Sequence, residues 1–212
     1  MDMLKVSGLL HVLVALLILQ LCSHKDPSCS AATTTFLNNK TYVNYIKTSC
    51  NVTTYPKLCY RSLSDFANEI KTSPKVLAHT ALNVSLAATR KTSKVLNRLS
   101  KTQGLNLTEL AALHDCIELI YDSSYELRRC MIEIHRLRSE NFAFGISNIL
   151  TWASAALTNS VTCMDGFGGN YGKVDQNGDD QVKNTVLRHE EKVCRLTSNS
   201  LALVNSYASS QG

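Results

Sequence analysis

The sequence predicts an all-α protein: an up-down-up-down four-helix bundle preceded by an N-terminal helical hairpin and stapled by disulfide bonds. From Pro74 onwards, apolar residues recur at spacings of three, four or seven, which is the period of amphipathic helices. Signals for β-strands are nearly absent. Eight cysteines accompany an apolar N-terminal segment, which indicates an oxidising compartment where disulfides persist.

The N-terminus has the pattern of a secretory signal peptide, which we predict over residues 1–23. Its apolar run, residues 9–21, is shorter than the ~20 residues that a membrane helix needs. We expect cleavage near Ser23, with Ala32 as an alternative; a retained signal anchor is the competing interpretation. A polar stretch rich in Thr, Ser and Asn follows, and it predicts a flexible leader over residues 24–40. No second apolar run of this kind follows, so we expect no membrane contact after signal removal.

The remaining chain predicts one domain over residues 41–207, with the hairpin at 41–70 and the bundle at 74–207. We predict four bundle helices: the first from Pro74 to just before Gly104, the second after an N-cap at Thr108, the third from about Ile146 to Cys163, and the fourth from Val182 to Leu203. Short connections between long helices favour the up-down-up-down arrangement.

Composition argues against several kinds of function. The formal net charge is +5, but the basic residues are scattered among acids, so a nucleic-acid partner is not expected. The histidines and cysteines show no metal-ligand spacing, and the acidic run that begins at Asp175 lacks the Gly and Glu of a calcium loop. We therefore expect no cofactor and no metal. Four Asn-x-Ser/Thr sequons are candidate glycosylation sites: Asn39, Asn51, Asn83 and Asn106.

The cysteine positions fit the predicted bundle. If the second and third helices are antiparallel and meet near residues 140–144, Cys116 and Cys163 lie at about the same height, ~38 and ~32 Å from the turn. A bridge between them is geometrically sensible. Cys130 and Cys194 fall on diagonally opposite helices, and a bridge across that diagonal is too long. For these two cysteines and Cys29 we expect buried or half-buried thiols, with a disulfide as the alternative.

Four segments together identify the chain as similar to a known family. They are CNVTTYPKLC at Cys50–Cys59, HDCIELIYDSSYEL at His114–Leu127, NILTWASAALTNSVTCMDGF at Asn148–Phe167, and LTSNSLALV at Leu196–Val204. In this order they closely resemble the plant pectin methylesterase inhibitor and invertase inhibitor family, over roughly Tyr42 to Tyr207. The resemblance implies a hairpin followed by a four-helix bundle, with disulfides Cys50–Cys59 and Cys116–Cys163.

The same resemblance implies a secreted, non-catalytic inhibitor in the plant cell wall or apoplast. The expected partner is pectin methylesterase, in a 1:1 complex that blocks the active-site cleft of the enzyme. The alternative target is a cell-wall or vacuolar invertase. A small hydrolase with an unrecognised Cys or Ser site is the third hypothesis, and no motif supports it. By resemblance, Glu118, Asp122, Thr162 and Asp165 are the expected target-binding residues, gathered beside Cys116 and Cys163 in the groove between the second and third bundle helices; the competing interpretation is a solvated helix face.

Overall fold

A computed structural model describes residues 39–168 and 181–211, and these ranges contain no β-strand. Contacts group Thr41–Gly212 into one unit. Residues 1–38, 169–180 and 212 lie outside the described part of the chain. They include the predicted signal peptide, nearly all of the predicted leader, and Cys29. Helix α1 spans residues 39–49 and so begins two residues inside the predicted leader.

The hairpin that follows α1 is short and cross-linked. Its other elements are a 3₁₀ turn at Cys50–Val52, α2 at Pro56–Leu63 and α3 at Ala67–Ile70. Pro56 occupies the first turn of α2, where its missing N–H would have had no helical partner. Cys50 and Cys59 are joined in a disulfide with Cα atoms 5.7 Å apart. The hairpin therefore presents a fixed surface to the bundle.

Four long helices form the bundle: α4 at Pro74–Leu99, α5 at Leu107–Arg136, α6 at Phe142–Gly166 and α7 at Gln181–Ser209. Each packs against the helix before it in the chain, and α7 closes the ring against α4. The predicted fold class, a hairpin followed by an up-down-up-down bundle, is confirmed. Helix α6 starts at Phe142, four residues before the predicted position, and Phe142 packs edge-on against Tyr207 of α7, with ring centroids 5.4 Å apart.

The prediction of an N-cap at Thr108 is wrong. The cap of α5 is Asn106, whose side-chain oxygen accepts a bond from the backbone N–H of Glu109 at 2.9 Å. The carboxylate of Glu109 in turn accepts from the backbone N–H of Asn106 at 3.0 Å. This reciprocal capping box satisfies two N–H groups at the helix start, which Thr108 inside the first turn cannot do.

The bundle core is apolar at both ends and polar in between. One cluster surrounds Leu82, Leu127, Ile149 and Val204, and a second surrounds the bridge of Cys116 and Cys163. Buried polar side chains also occur within the bundle: Ser85, Thr89 and Thr92 on α4, Ser123 and Ser124 on α5, Ser160 on α6, and Glu190, Thr197, Asn199 and Ser200 on α7. The hydroxyls of Ser85, Thr89, Ser123 and Ser200 donate to carbonyls in the preceding turn, which satisfies them despite their burial.

Candidate target-binding surface

A disulfide and two hydrogen bonds define the side of α5 that faces α6. Cys116 is bonded to Cys163, with Cα atoms 4.8 Å apart. The hydroxyl of Ser123 donates to the carbonyl of Ala156 at 3.2 Å. One further heptad along, the thiol of Cys130 donates to the carbonyl of Ile149 at 3.4 Å. Because these α5 residues are seven apart, they form one line along the helix, and the outward surface of α5 is fixed relative to it.

Glu118 and Asp122 lie away from that line. At about 100° per residue, Glu118 points ~160° from Cys116, and Asp122 points ~100° from Ser123. Both side chains are exposed. They line a cleft of about 410 Å³ whose opposite wall is formed by Ser93 and Asn97 of α4. The structure therefore brings the two predicted acids together, on the side of α5 towards α4.

Thr162 and Asp165 are exposed on α6, on either side of the buried Cys163. They are not among the residues that line the cleft containing Glu118 and Asp122. The four predicted contact residues thus occupy the same end of two neighbouring helices, but they do not share a single groove. The rotation of Glu118 away from α6 is the physical reason.

Aromatic side chains that the sequence reasoning missed lie beside the acids. Tyr121 is 66% exposed and lines the same cleft, and Tyr125, one helical turn further, is 54% exposed. Large exposed aromatics are common anchors of protein interfaces because they bury much apolar area at a low entropic cost. Their spacing of four and their position off the apolar seam of α5 would have been sufficient to find them.

The groove between α5 and α6 contains a second feature that spacing alone does not reveal. The guanidinium of Arg129 lies over the ring of Trp152 at 4.0 Å and over that of Tyr125 at 5.7 Å. It also forms an ion pair with Glu126 at 3.2 Å. These contacts order the surface beside the acids, because a stacked and paired arginine has little rotameric freedom left.

Other kinds of site receive no support from the described residues. Within residues 39–168 and 181–211, no group of three or more His, Cys, Asp or Glu side chains could hold a metal ion. None of the helices in these ranges has both the length and the apolar character needed to cross a membrane. The four sequon asparagines, Asn39, Asn51, Asn83 and Asn106, all have exposed side chains.

Comparisons with known proteins show to which family the chain is related. The family described as plant invertase/pectin methylesterase inhibitor matches residues 44–203. The "21 kDa protein" of Daucus carota is 44% identical over 167 residues, covering 77% of this chain and 83% of that protein. "Pectinesterase inhibitor 11" of Arabidopsis thaliana is 40% identical over 183 residues, covering 84% and 88%.

A solved structure supports the fold independently. The crystal structure of a mutant form of a pectin methylesterase inhibitor from Arabidopsis superimposes with a TM-score of 0.57, covering 74% of this chain and 92% of that one, at 19% identity. The match over residues 44–203 confirms the resemblance of the four sequence segments to this family. The chain therefore belongs to the plant invertase/pectin methylesterase inhibitor family, and it is an enzyme inhibitor, not an enzyme.

Proposed function

We propose that the protein inhibits a plant pectin methylesterase by covering its active-site cleft in a 1:1 complex. The observation that carries the proposal is the exposed surface of α5, where Glu118 and Asp122 border a cleft and Tyr121 and Tyr125 stand beside them. A relative that is 40% identical to this chain is named a pectinesterase inhibitor, which supports the proposal.

The proposed surface is suited to binding because it is held rigid before the complex forms. Cys116–Cys163 ties α5 to α6 next to Glu118 and Thr162. Ordered side chains lose less entropy on association than mobile ones, so more of the contact energy remains as affinity. The exposed tyrosines match the aromatic anchors that are common in protein interfaces, and the acids beside them can form polar contacts with the enzyme.

Secretion to the cell wall belongs to the same proposal. A pectin methylesterase acts on a wall polymer, so its inhibitor must pass through the secretory route, as the apolar residues 9–21 suggest. The exposed sequon asparagines are available for glycosylation along that route. Mass spectrometry of protein recovered from apoplastic fluid would test both points.

Invertase remains the second candidate target because the matching family is named for both enzymes. The purified domain should be assayed in parallel against a plant pectin methylesterase and a plant acid invertase, each with a heat-unfolded, reduced sample as the control. We expect inhibition of the esterase with a stoichiometry of one. Inhibition of invertase alone would overturn the proposed target.

A further inference from the structure

We infer that a second cleft, formed by α2, α4 and α7, binds acidic pectin, a chain of galacturonate sugars with free carboxylates. The choice of ligand rests on the proposed function, since a pectin methylesterase converts methyl esters on this polymer into free carboxylates. The cleft itself is separate from the proposed enzyme-binding surface: its lining residues come from different elements and include neither Glu118 nor Asp122.

The cleft has the size and the floor of a carbohydrate site. Its volume is about 440 Å³, within the range of ~300–1,000 Å³ typical of small-molecule sites. The floor includes Leu58 of α2, Val84 of α4 and Leu196 of α7. Sugar rings carry an apolar face of C–H groups, and such side chains can pack against it while the polar edge of the ring remains in water.

Three cations from three different helices border this floor. They are Arg61 of α2, Lys91 of α4 and Lys192 of α7, all exposed. No acidic side chain is among the lining residues, all of which belong to the described part of the chain. The two ion pairs within that part, Arg129–Glu126 and Arg195–Glu191, involve other residues. The cleft therefore presents positive charge that no lining residue neutralises.

The positive field extends beyond the cleft. Burial lowers the pKa of His189, and the neighbouring charges of Arg188, Lys91 and Lys192 lower it further. Burial disfavours charge of either sign, but the contribution from the three neighbouring cations reflects positive charge beside the cleft, which favours an anion. A chain with one carboxylate on each sugar can meet cations on three helices at once, which a single small anion cannot.

Titration calorimetry with a purified, fully de-esterified galacturonate oligomer tests the inference. The same oligomer with every carboxylate methylated is the comparison ligand. We expect binding of the acidic oligomer that weakens as salt is added, and at least tenfold weaker binding of the ester. Replacing each cation in Arg61→Gln, Lys91→Gln and Lys192→Gln should weaken binding by about two- to fivefold per substitution. Equal binding of acid and ester would overturn the inference.

Two further variants separate the cleft from general charge attraction. A matched triple variant, Lys47→Gln with Arg98→Gln and Lys101→Gln, removes one arginine and two lysines that are exposed outside the cleft. It should bind like the parent. Ala87→Phe fills the cleft from an exposed lining position without changing charge, and it should abolish binding of the oligomer. If the matched triple variant loses as much affinity as a variant that combines Arg61→Gln, Lys91→Gln and Lys192→Gln, or if Ala87→Phe binds normally, the inference is wrong.

Size-exclusion chromatography of each variant with the esterase, in the absence of pectin, distinguishes the two proposals. We expect the cleft variants to form the complex as the parent does. If the parent protein binds the acidic oligomer but no esterase, the proposed function is wrong and the inference about the cleft stands. If it binds the esterase but not the oligomer, the inference about the cleft is wrong and the proposed function stands.

Discussion

The side-chain oxygens of Glu190 on α7 and Ser160 on α6 lie close together in the bundle core, yet no hydrogen bond of normal geometry reaches any of them from the described residues. Glu190 is 0% exposed. Burial raises the pKa of its carboxyl to about 8, while the nearby Ser160 hydroxyl acts in the opposite direction. The carboxyl is therefore neutral in the folded protein under acidic conditions, and its ionised form is disfavoured by the missing solvation.

This arrangement predicts a fold that loses stability as pH rises. The pKa of Glu190 is raised from 4.5 to about 8, so the folded state holds the proton more tightly than the unfolded state. The free energy of unfolding keeps the full contribution of this group below about pH 4.5. It then declines as pH rises to about pH 8, by on the order of 3–5 kcal/mol at most. Urea unfolding followed by circular dichroism between these pH values would measure the decline.

Glu190→Gln is the matched variant, because glutamine has the shape of the neutral acid and cannot ionise. It should equal the parent near pH 5 and exceed it near pH 8. The pKa values of His79 and His189 are lowered, chiefly by burial, so these groups make stability rise with pH and partly mask the effect. The difference between parent and variant cancels their contribution. A difference that stays constant with pH would contradict this prediction.

The apolar periodicity of the sequence was sufficient to predict the fold, and it also indicated that Glu190 is buried. The position lies between Val186 and Val193 at spacings of four and three, on the apolar stripe that defined the last helix. Its charge argued for exposure, and the stripe argued for burial, which the structure shows. Periodicity places a residue on one side of its own helix, but it cannot tell what lies across from it.

The target-binding residues show the same limit. Helical spacing correctly placed Glu118 and Asp122 on one exposed side of α5. It could not say that this side meets Ser93 and Asn97 of α4, because the rotation of one helix against its neighbours depends on packing of the whole core. The stacking of Arg129 on Trp152 likewise joins residues on two helices and leaves no periodic signal.

Removal of the Cys116–Cys163 bridge should destabilise the bundle more than removal of Cys50–Cys59. The first closes a sequence separation of 47 residues and the second a separation of 9. Chain entropy then predicts losses of about 4 and about 3 kcal/mol for the paired Cys→Ala variants. Urea unfolding at pH 5 would give both values. Peptide mapping without reduction provides the check on pairing, since a Cys116–Cys130 or Cys163–Cys194 link would show the assignment to be wrong.

The two unbridged cysteines among the described residues should differ in reactivity. Cys130 is 0% exposed, and burial raises the pKa of its thiol to about 12. Cys194 is half-buried, and burial raises the pKa of its thiol as well, with Glu190 and Glu191 adding to the effect. Because the thiolate is the reactive form, iodoacetamide at pH 8 should modify Cys194 slowly and Cys130 only on unfolding. Mass spectrometry of timed samples would show the order, and early labelling of Cys130 would refute it.

Asn199 of α7 should be essential for the position of the hairpin. Its side-chain oxygen accepts from the backbone N–H of Tyr55 at 3.0 Å, and its amide group donates to the Tyr55 carbonyl at 3.1 Å. Asn199 is 2% exposed, so Asn199→Ala would leave two backbone groups without partners and cost about 2–3 kcal/mol. Asn205→Ala, at an exposed position of the same helix, is the control and should change the free energy of unfolding little. Equal values for the two variants would show that water replaces Asn199.

The last prediction concerns the proposed enzyme-binding surface. Alanine replacement of Glu118 or Asp122, which share a cleft with the exposed Tyr121, should weaken inhibition of the esterase. A polar contact buried at the centre of an interface costs about 2 kcal/mol or more when truncated, which is roughly a thirtyfold loss of affinity. Thr162 and Asp165 lie on the neighbouring helix outside this cleft. If they contact the enzyme only at the edge of the interface, their replacement should cost less than ~1 kcal/mol.

Each variant needs a measure of folding beside the measure of inhibition. All four side chains are exposed, so truncation should leave helicity and the unfolding midpoint close to those of the parent. Glu69→Ala, an exposed acid in the hairpin, is the matched control for loss of one negative charge. A larger effect at Thr162 and Asp165 than at Glu118 and Asp122 would move the centre of the interface to α6. Folded variants that all inhibit like the parent would show that the esterase binds elsewhere on the molecule.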